Sequence, residues 1–405
     1  MFSGNRDVIL LLITRTLRLF GYGFLSVVLA LYLSESGLDD LFMGVMFSLT
    51  LVGDAGISLI LTTTADRFGR KKTLIIGAVL MMVAGVVFMM TSNPLLLIIA
   101  AIIGVISPSG NEIGPFLPVE QAILSQLVHT DQRTRLFAWY GLIGSFATAL
   151  GALASGFAAT ALQTRGFSAL DSYRVILCGY ALIGGMLALV FTGLSKECEV
   201  IRSDASSASQ YRFGLHKSRG VVYKLSLLFS LDAFAGGFVL QSFMAYWFHV
   251  RYGANEAVLG SIFFGANLLA GISALLAVPL AKKIGLIRTM VFTHLPSNVL
   301  LILVPLMPNF TLAITMLLLR FSISQMDVPT RQAYTMAVVD PDERSAAAGI
   351  TGIARSIGAS LSPAVAGALL STFLGGPFIV AGGLKIIYDI ILFRSFKAAN
   401  VSDEM

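Results

Sequence analysis

The sequence predicts an all-α integral membrane fold of twelve transmembrane helices, arranged as two pseudo-symmetric six-helix bundles. Three observations lead there. Of 405 residues, 56% are hydrophobic and only 12% charged. Twelve apolar runs are each long enough to cross a bilayer. The last six runs carry a shifted copy of features in the first six.

Composition comes first. A soluble domain carries about 25% charged residues. A chain this apolar cannot cover itself with polar surface, so lipid is the expected solvent. The net charge of +6 does not imply nucleic acid, because the basic residues lie between apolar runs and form no continuous face. Cys178 and Cys198 have no plausible partners, so neither a disulfide framework nor a redox role is implied. No cleavable signal peptide is expected, since the first run begins near Val8 and is long enough to span and stay.

A helix needs about 20 apolar residues to cross. Spans are expected near 8–33, 41–64, 73–91, 95–128, 136–161, 174–194, 221–249, 257–280, 288–306, 310–338, 346–371 and 378–396. The polar, Ser-rich stretch 195–220 divides them. It separates an N-terminal bundle over 1–194 from a C-terminal bundle over 221–405 and serves as the linker loop. The fourth span contains SPSGNEIGPFLPVEQA, with Pro108, Pro115 and Pro118. Each proline removes a backbone donor and crowds the previous turn, so the helix is expected to kink or open there.

The repeat is read by shifting the chain. At 216 residues, ADRFGRKKT (65–73) falls on AKKIGLIRT (281–289), and Gly37 and Gly44 fall on Gly253 and Gly260. At 211 residues, PVEQA (118–122) falls on PTRQA (329–333). Duplicated halves are a hallmark of secondary transporters. Orientation follows from Lys and Arg. With both termini cytoplasmic, inner segments hold 19 of the 28 basic residues and outer segments hold three: Arg165, Arg174 and Arg251. The expected location is the plasma (inner) membrane.

The loop at 62–74, TTTADRFGRKKTL, joins spans 2 and 3. Asp66, Arg67, Gly69, Arg70 and Lys71 match the G-x-x-x-D-R-x-G-R-R/K loop of the major facilitator superfamily, which the chain resembles in topology and repeat over nearly its whole length. Thr62 stands where that family usually has Gly, and the second copy, AKKIG, has lost the acid. The resemblance implies that Asp66, Arg67, Gly69 and Arg70 gate the cytoplasmic side. It places Asp66's partner near Ser345 at the start of helix 11. Gly69 permits a tight reversal between two helices on physical grounds alone.

An ionisable group in hydrocarbon costs about 2.5–3.5 kcal/mol even on the lenient insertion scale, so it should face a polar interior. At about 1.5 Å per residue, Arg18, Asp232 and Arg355 lie roughly 15 Å inside their spans, near the middle of a core about 30 Å thick. Arg15 shares a face with Arg18, and Asp327 with Arg331. Glu112 and Glu120 sit in the proline-rich span. The charges fall mainly in spans 1, 4, 7 and 10, which by resemblance line a central cavity. Arg15, Arg18, Glu112, Glu120, Asp232, Asp327, Arg331 and Arg355 are therefore the expected substrate or proton site. Asp54 is expected to pair with Arg355 between helices 2 and 11 and to take part in gating. Lys385 and Asp389, four apart, read as an in-helix ion pair. Asn267 and Gln241 read equally as cavity groups or interhelical bonds, and His249 and His294 as isolated. Gly141, Gly144, Gly151 and Gly156 read as close helix packing.

The chain has no G-x-x-x-x-G-K-[ST], no H-E-x-x-H, no G-x-S-x-G and no Cys/His cluster. ATP, metal and hydrolytic chemistry lack their parts, so neither an enzyme nor a cofactor is expected. The expected partners are a small-molecule substrate and the bilayer, with no nucleic acid and a monomeric state. The leading expectation is proton-coupled efflux of a small organic solute by alternating access, with H+ as coupling ion. One alternative is proton-coupled uptake or facilitated passage of an organic anion, favoured by the buried arginines. The other is a non-transporting receptor or scaffold on the same fold.

Overall fold

The computed structural model describes residues 6–200, 215–340 and 343–396; at 130, 131, 134 and 345 it describes the backbone alone. The first pass is α1 (Arg6–Ser26) followed by α2 (Leu29–Glu35). The second and third are α3 (Asp40–Phe68) and α4 (Arg70–Met90). The fourth is α5 (Pro94–Ile103) and α6 (Phe116–Leu127). The fifth and sixth are α7 (Thr130–Thr164) and α8 (Ala169–Thr192). The seventh is α9 (Arg219–Gly237) and α10 (Gln241–Tyr252). The eighth and ninth are α11 (Glu256–Ile284) and α12 (Leu286–Leu303). The tenth is α13 (Phe310–Phe321) and α14 (Asp327–Ala337), and the last two are α15 (Arg344–Thr372) and α16 (Gly376–Phe396). Ten passes are long and apolar enough to cross a membrane as described; the fourth and tenth are built from shorter pieces. This is the twelve-helix fold that the sequence predicts.

The duplication is visible in the backbone. The bounds of α3 and α11 differ by 216 residues at both ends. Gly69 and its mate Gly285 both take positive φ, 105° and 85°, at the reversal into α4 and α12. A side chain there would clash with the local backbone, so glycine is required by geometry. Asn93 and Asn309, also 216 apart, cap α5 and α13 by accepting from backbone N–H groups two or three residues on.

Passes 1, 4, 7 and 10 are each interrupted, at 27–28, 104–115, 238–240 and 322–326. The proline-rich stretch announced the fourth interruption; the other three were not expected. Inside a bilayer, freed backbone groups need internal partners. In pass 4 they have them. Tyr180 Oη donates to Val105 O at 2.5 Å, and Tyr22 Oη to Ile113 O at 3.2 Å. Gly114 N donates to Asp54 Oδ1 at 2.6 Å.

The chain packs as two compact units: described residues 6–200 with 240–267, and described residues of 215–239 with 268–340 and 343–396. In the first, α1 lies against α7 so closely that a Cβ on Gly151 would strike the Phe20 carbonyl, and one on Gly23 the Thr148 carbonyl. Gly156 meets Glu256 of α11 in the same way, and a Cβ on Gly144 would press on the Arg15 guanidinium. Gly141 faces open space, so the packing role expected of it is not found. In the second unit, α9 and α15 repeat the close approach at Gly358 against Ser230.

Candidate functional site

Each unit buries one charge cluster beside its interrupted passes. In the first, Arg18 of α1 is fully buried and makes a two-pronged ion pair with Glu120 of α6 (Nη1–Oε1 2.7 Å, Nη2–Oε2 2.8 Å). Its Nε also reaches Glu112 Oε1 at 2.8 Å, in the interruption of pass 4. Arg15 pairs with the other oxygen of Glu112. Tyr140 of α7 donates a hydrogen bond to Glu120, and Thr14 Oγ1 lies 3.2 Å from the same carboxylate. Arg18 stacks on Phe116 at 4.5 Å and Arg15 on Tyr140 at 4.4 Å. Two arginines face two glutamates, so the cluster is neutral as drawn. Bidentate guanidinium–carboxylate pairs are strong and directional, which suits a site that must bury charge.

The second cluster centres on Asp232 of α9. Lys385 Nζ of α16 lies 2.6 Å from Oδ1, while Arg331 of α14 and Arg355 of α15 reach Oδ2 at 3.1 and 3.3 Å. Arg331 also holds Asp327 at 2.8 Å. His294 of α12 stands between two acids, with Nδ1 2.9 Å from Asp389 and Nε2 3.9 Å from Asp232. Asn298 donates to the other oxygen of Asp389 at 2.9 Å. One carboxylate thus gathers cations from three other helices.

The structure brings Arg15, Arg18, Glu112 and Glu120 together in one unit, and Asp232, Asp327, Arg331 and Arg355 in the other. It also corrects several readings. Asp54 and Arg355, expected as partners, bond elsewhere: Asp54 to Gly114 N and Arg355 to Asp232. Lys385 and Asp389 do not pair with each other; each turns to its own partner in the second cluster. His294 is not isolated, whereas the His249 ring hydrogen-bonds the Ala254 carbonyl. Asn267 bonds Gln241 at 3.0 Å, and Gln241 bonds Ser26 at 2.7 Å, which is the interhelical alternative. Tyr140 and Asn298 were missed, because a buried hydroxyl or amide carries no signal in an apolar run. Lys385 and Asp389 were visible as membrane charges, but the four-residue spacing pointed the wrong way.

At the corner between α3 and α4, Asp66 is exposed and pairs with Arg70 at 2.9 Å. Arg70 continues to Gln126 Oε1 at 2.9 Å, and Gln126 donates to the carbonyls of Glu197 and Glu199. The Glu199 carboxylate accepts from Arg70 N at 2.7 Å and Lys71 N at 3.3 Å, capping α4. Arg67 is exposed. The partner expected near Ser345 lies outside the described side chains. A second imported acid, Glu343, accepts from the backbone N–H groups of His216, Lys217 and Ser218 at the start of α9. Burial pushes its carboxyl up, but the Ser218 hydroxyl and these three N–H groups outweigh burial and bring it down to about 2.

The sequence profile of the Major Facilitator Superfamily matches residues 11–324 and 225–402. Over 426 aligned positions, 98% of this chain and 95% of the relative, the chain is 29% identical to YJR124C, an uncharacterized membrane protein of Saccharomyces cerevisiae. It is 27% identical to the multidrug efflux protein YfmO of Bacillus subtilis over 176 positions, 43% of this chain and 44% of that one. Among solved structures it resembles a D-xylose–proton symporter, with TM-score 0.75 and 16% identity over 96% of this chain and 97% of that one. It also resembles a bacterial homolog of the human lysosomal transporter Spinster, with TM-score 0.71 and 16% identity over 98% and 93%. At such identities the structural likeness speaks for the fold, and the profile speaks for the family. The chain belongs to the Major Facilitator Superfamily and is a multi-pass membrane transporter.

Proposed function

We propose that the chain is a proton-coupled secondary transporter that expels a small organic solute by alternating access, exchanging it for protons, with its basic end in the cytoplasm. The observation that carries this reading is Asp232. A single buried carboxylate restrains Lys385, Arg331 and Arg355 from three helices. The carboxylate can take up a proton only as these cations move off it, Arg331 keeping Asp327, so proton binding and helix release are linked. Glu120 stands in the same relation to Arg18 and Tyr140 in the first unit. Charges this costly to bury support function over mere assembly. The partial similarity to a multidrug efflux protein supports the outward direction.

The test is transport in liposomes that trap a pH-sensitive dye, challenged with a library of small organic solutes. A substrate drives proton movement and is itself driven by an imposed pH gradient. Asp232→Asn and Glu120→Gln are each expected to abolish gradient-driven accumulation while solute exchange without a gradient persists. Full gradient-driven transport in both variants would refute proton coupling through these carboxylates.

A further inference from the structure

Arg320 is the basic residue that the second cluster leaves without an acid. It lies in the last turn of α13 on the buried stripe with Ala313, Leu317 and Phe321, and is 8% exposed. Its guanidinium stacks on the Phe321 ring at 4.9 Å. Its Nε is buried with no hydrogen-bond acceptor, and no acid among the described residues comes within ion-pair distance. Asp327 and Asp232 are the acids its charge reaches, and both are engaged already. Four cations (Arg320, Arg331, Arg355 and Lys385) thus stand among three carboxylates (Asp232, Asp327 and Asp389). Four residues on, in the interruption of pass 10, Ser324 Oγ is also buried without a partner. One turn therefore holds an uncompensated guanidinium and an unsatisfied hydroxyl. The C-terminal dipole of α13 offsets only part of such a cost.

We propose that Arg320, with Ser324, forms an anionic subsite, and that the transported solute carries a carboxylate which this guanidinium binds. The planar fork of Arg matches the two oxygens of a carboxylate. The hydroxyl adds a donor to the same ligand. A buried charge without a partner costs stability until its ligand arrives, which makes the site selective against neutral solutes. The inference deepens the transport reading and rests on it.

The experiment uses the full chain in detergent and follows thermal stabilisation by three carboxylates (acetate, hexanoate and benzoate), the corresponding amides, and sodium sulfate and chloride. At least one carboxylate is expected to raise the midpoint while its amide does not. In Arg320→Gln the apparent affinity for that carboxylate falls about tenfold or more, and Arg320→Lys recovers part of it. Without ligand, Arg320→Gln unfolds no earlier than the native chain, because a stranded charge has been removed; an arginine kept for structure predicts the reverse. Should Arg320→Gln fail to fold, Arg320→Lys alone carries the comparison, with weakened carboxylate binding expected. The subsite is overturned if no carboxylate stabilises the native chain, if amides act as well as acids, if only sulfate or chloride acts, or if the variants bind as the native chain does. Binding is measured without a gradient. Its loss alongside intact solute-linked proton flow would sink the subsite and spare the transport reading. Carboxylate binding without any proton flow would do the opposite.

Discussion

Asp232→Asn removes the carboxylate at the centre of the second cluster. Lys385 then loses its 2.6 Å ion pair and Arg355 its 3.3 Å one, while Arg331 keeps Asp327 at 2.8 Å. Removing one partner of a buried pair costs about 3–5 kcal/mol, because the other is left charged in a poor solvent. Unfolding entropy of about 2.1 cal/mol/K per residue gives roughly 0.85 kcal/mol per degree for a chain of this length. The midpoint should therefore fall by about 4–6 °C. An unfolded state that keeps helix in detergent gains less entropy, which makes the fall larger. The assay heats the purified protein in detergent and measures, by gel filtration, the fraction that survives as a single species. Asp232→Asn combined with Lys385→Met should recover at least half of the loss, since the ammonium with no carboxylate left to bind is gone. A midpoint for Asp232→Asn within about a degree of the native value, or strict additivity in the double variant, would refute the reasoning.

Gly151→Ala should cost about 1–3 kcal/mol by forcing α1 off α7, whereas Gly141→Ala, which meets nothing, should be neutral in the same heating assay. Glu343, brought down to about 2 from an ordinary 4.5, contributes stability that is complete above pH 4.5 and disappears as pH falls toward 2. Melting curves between pH 5 and pH 3 should therefore lose midpoint in the native chain, and less so in Glu343→Gln. The Cys198 thiol, pushed up to about 12 by burial and by the adjacent Asp7 carboxylate, should resist maleimide at pH 8 in the folded chain, and Asp7→Asn should speed its labelling.

Much of the architecture could be read from apolar run length, because lipid allows few alternatives to a spanning helix. The duplication was readable where glycine geometry enforces it, as at Gly69 and Gly285. The interruptions were readable only where proline announced one; at 27–28, 238–240 and 322–326 the chain opens with no such marker. The charged members of both clusters were visible as misplaced charges. Their pairings were not, because hydropathy says how deep a residue lies and nothing about which way it turns. Lys385 illustrates this. A carboxylate four residues on offered a local partner, yet the longer reach to Asp232 prevails in three dimensions.

The acid that caps α4 has a wider consequence. With the basic end in the cytoplasm, as proposed, the rule for membrane sidedness asks for Lys and Arg at this corner, while the dipole at a helix N-terminus asks for a carboxylate. Arg70, Lys71 and Lys72 satisfy the first demand, and Glu199, arriving from far along the chain, satisfies the second. Sidedness and helix energetics are thus assigned to different residues. An engineer who placed Glu at position 71 to please the helix would weaken the topological signal. The same change would cut the Lys71 Nζ bonds to the Thr192 and Leu194 carbonyls that close the end of α8.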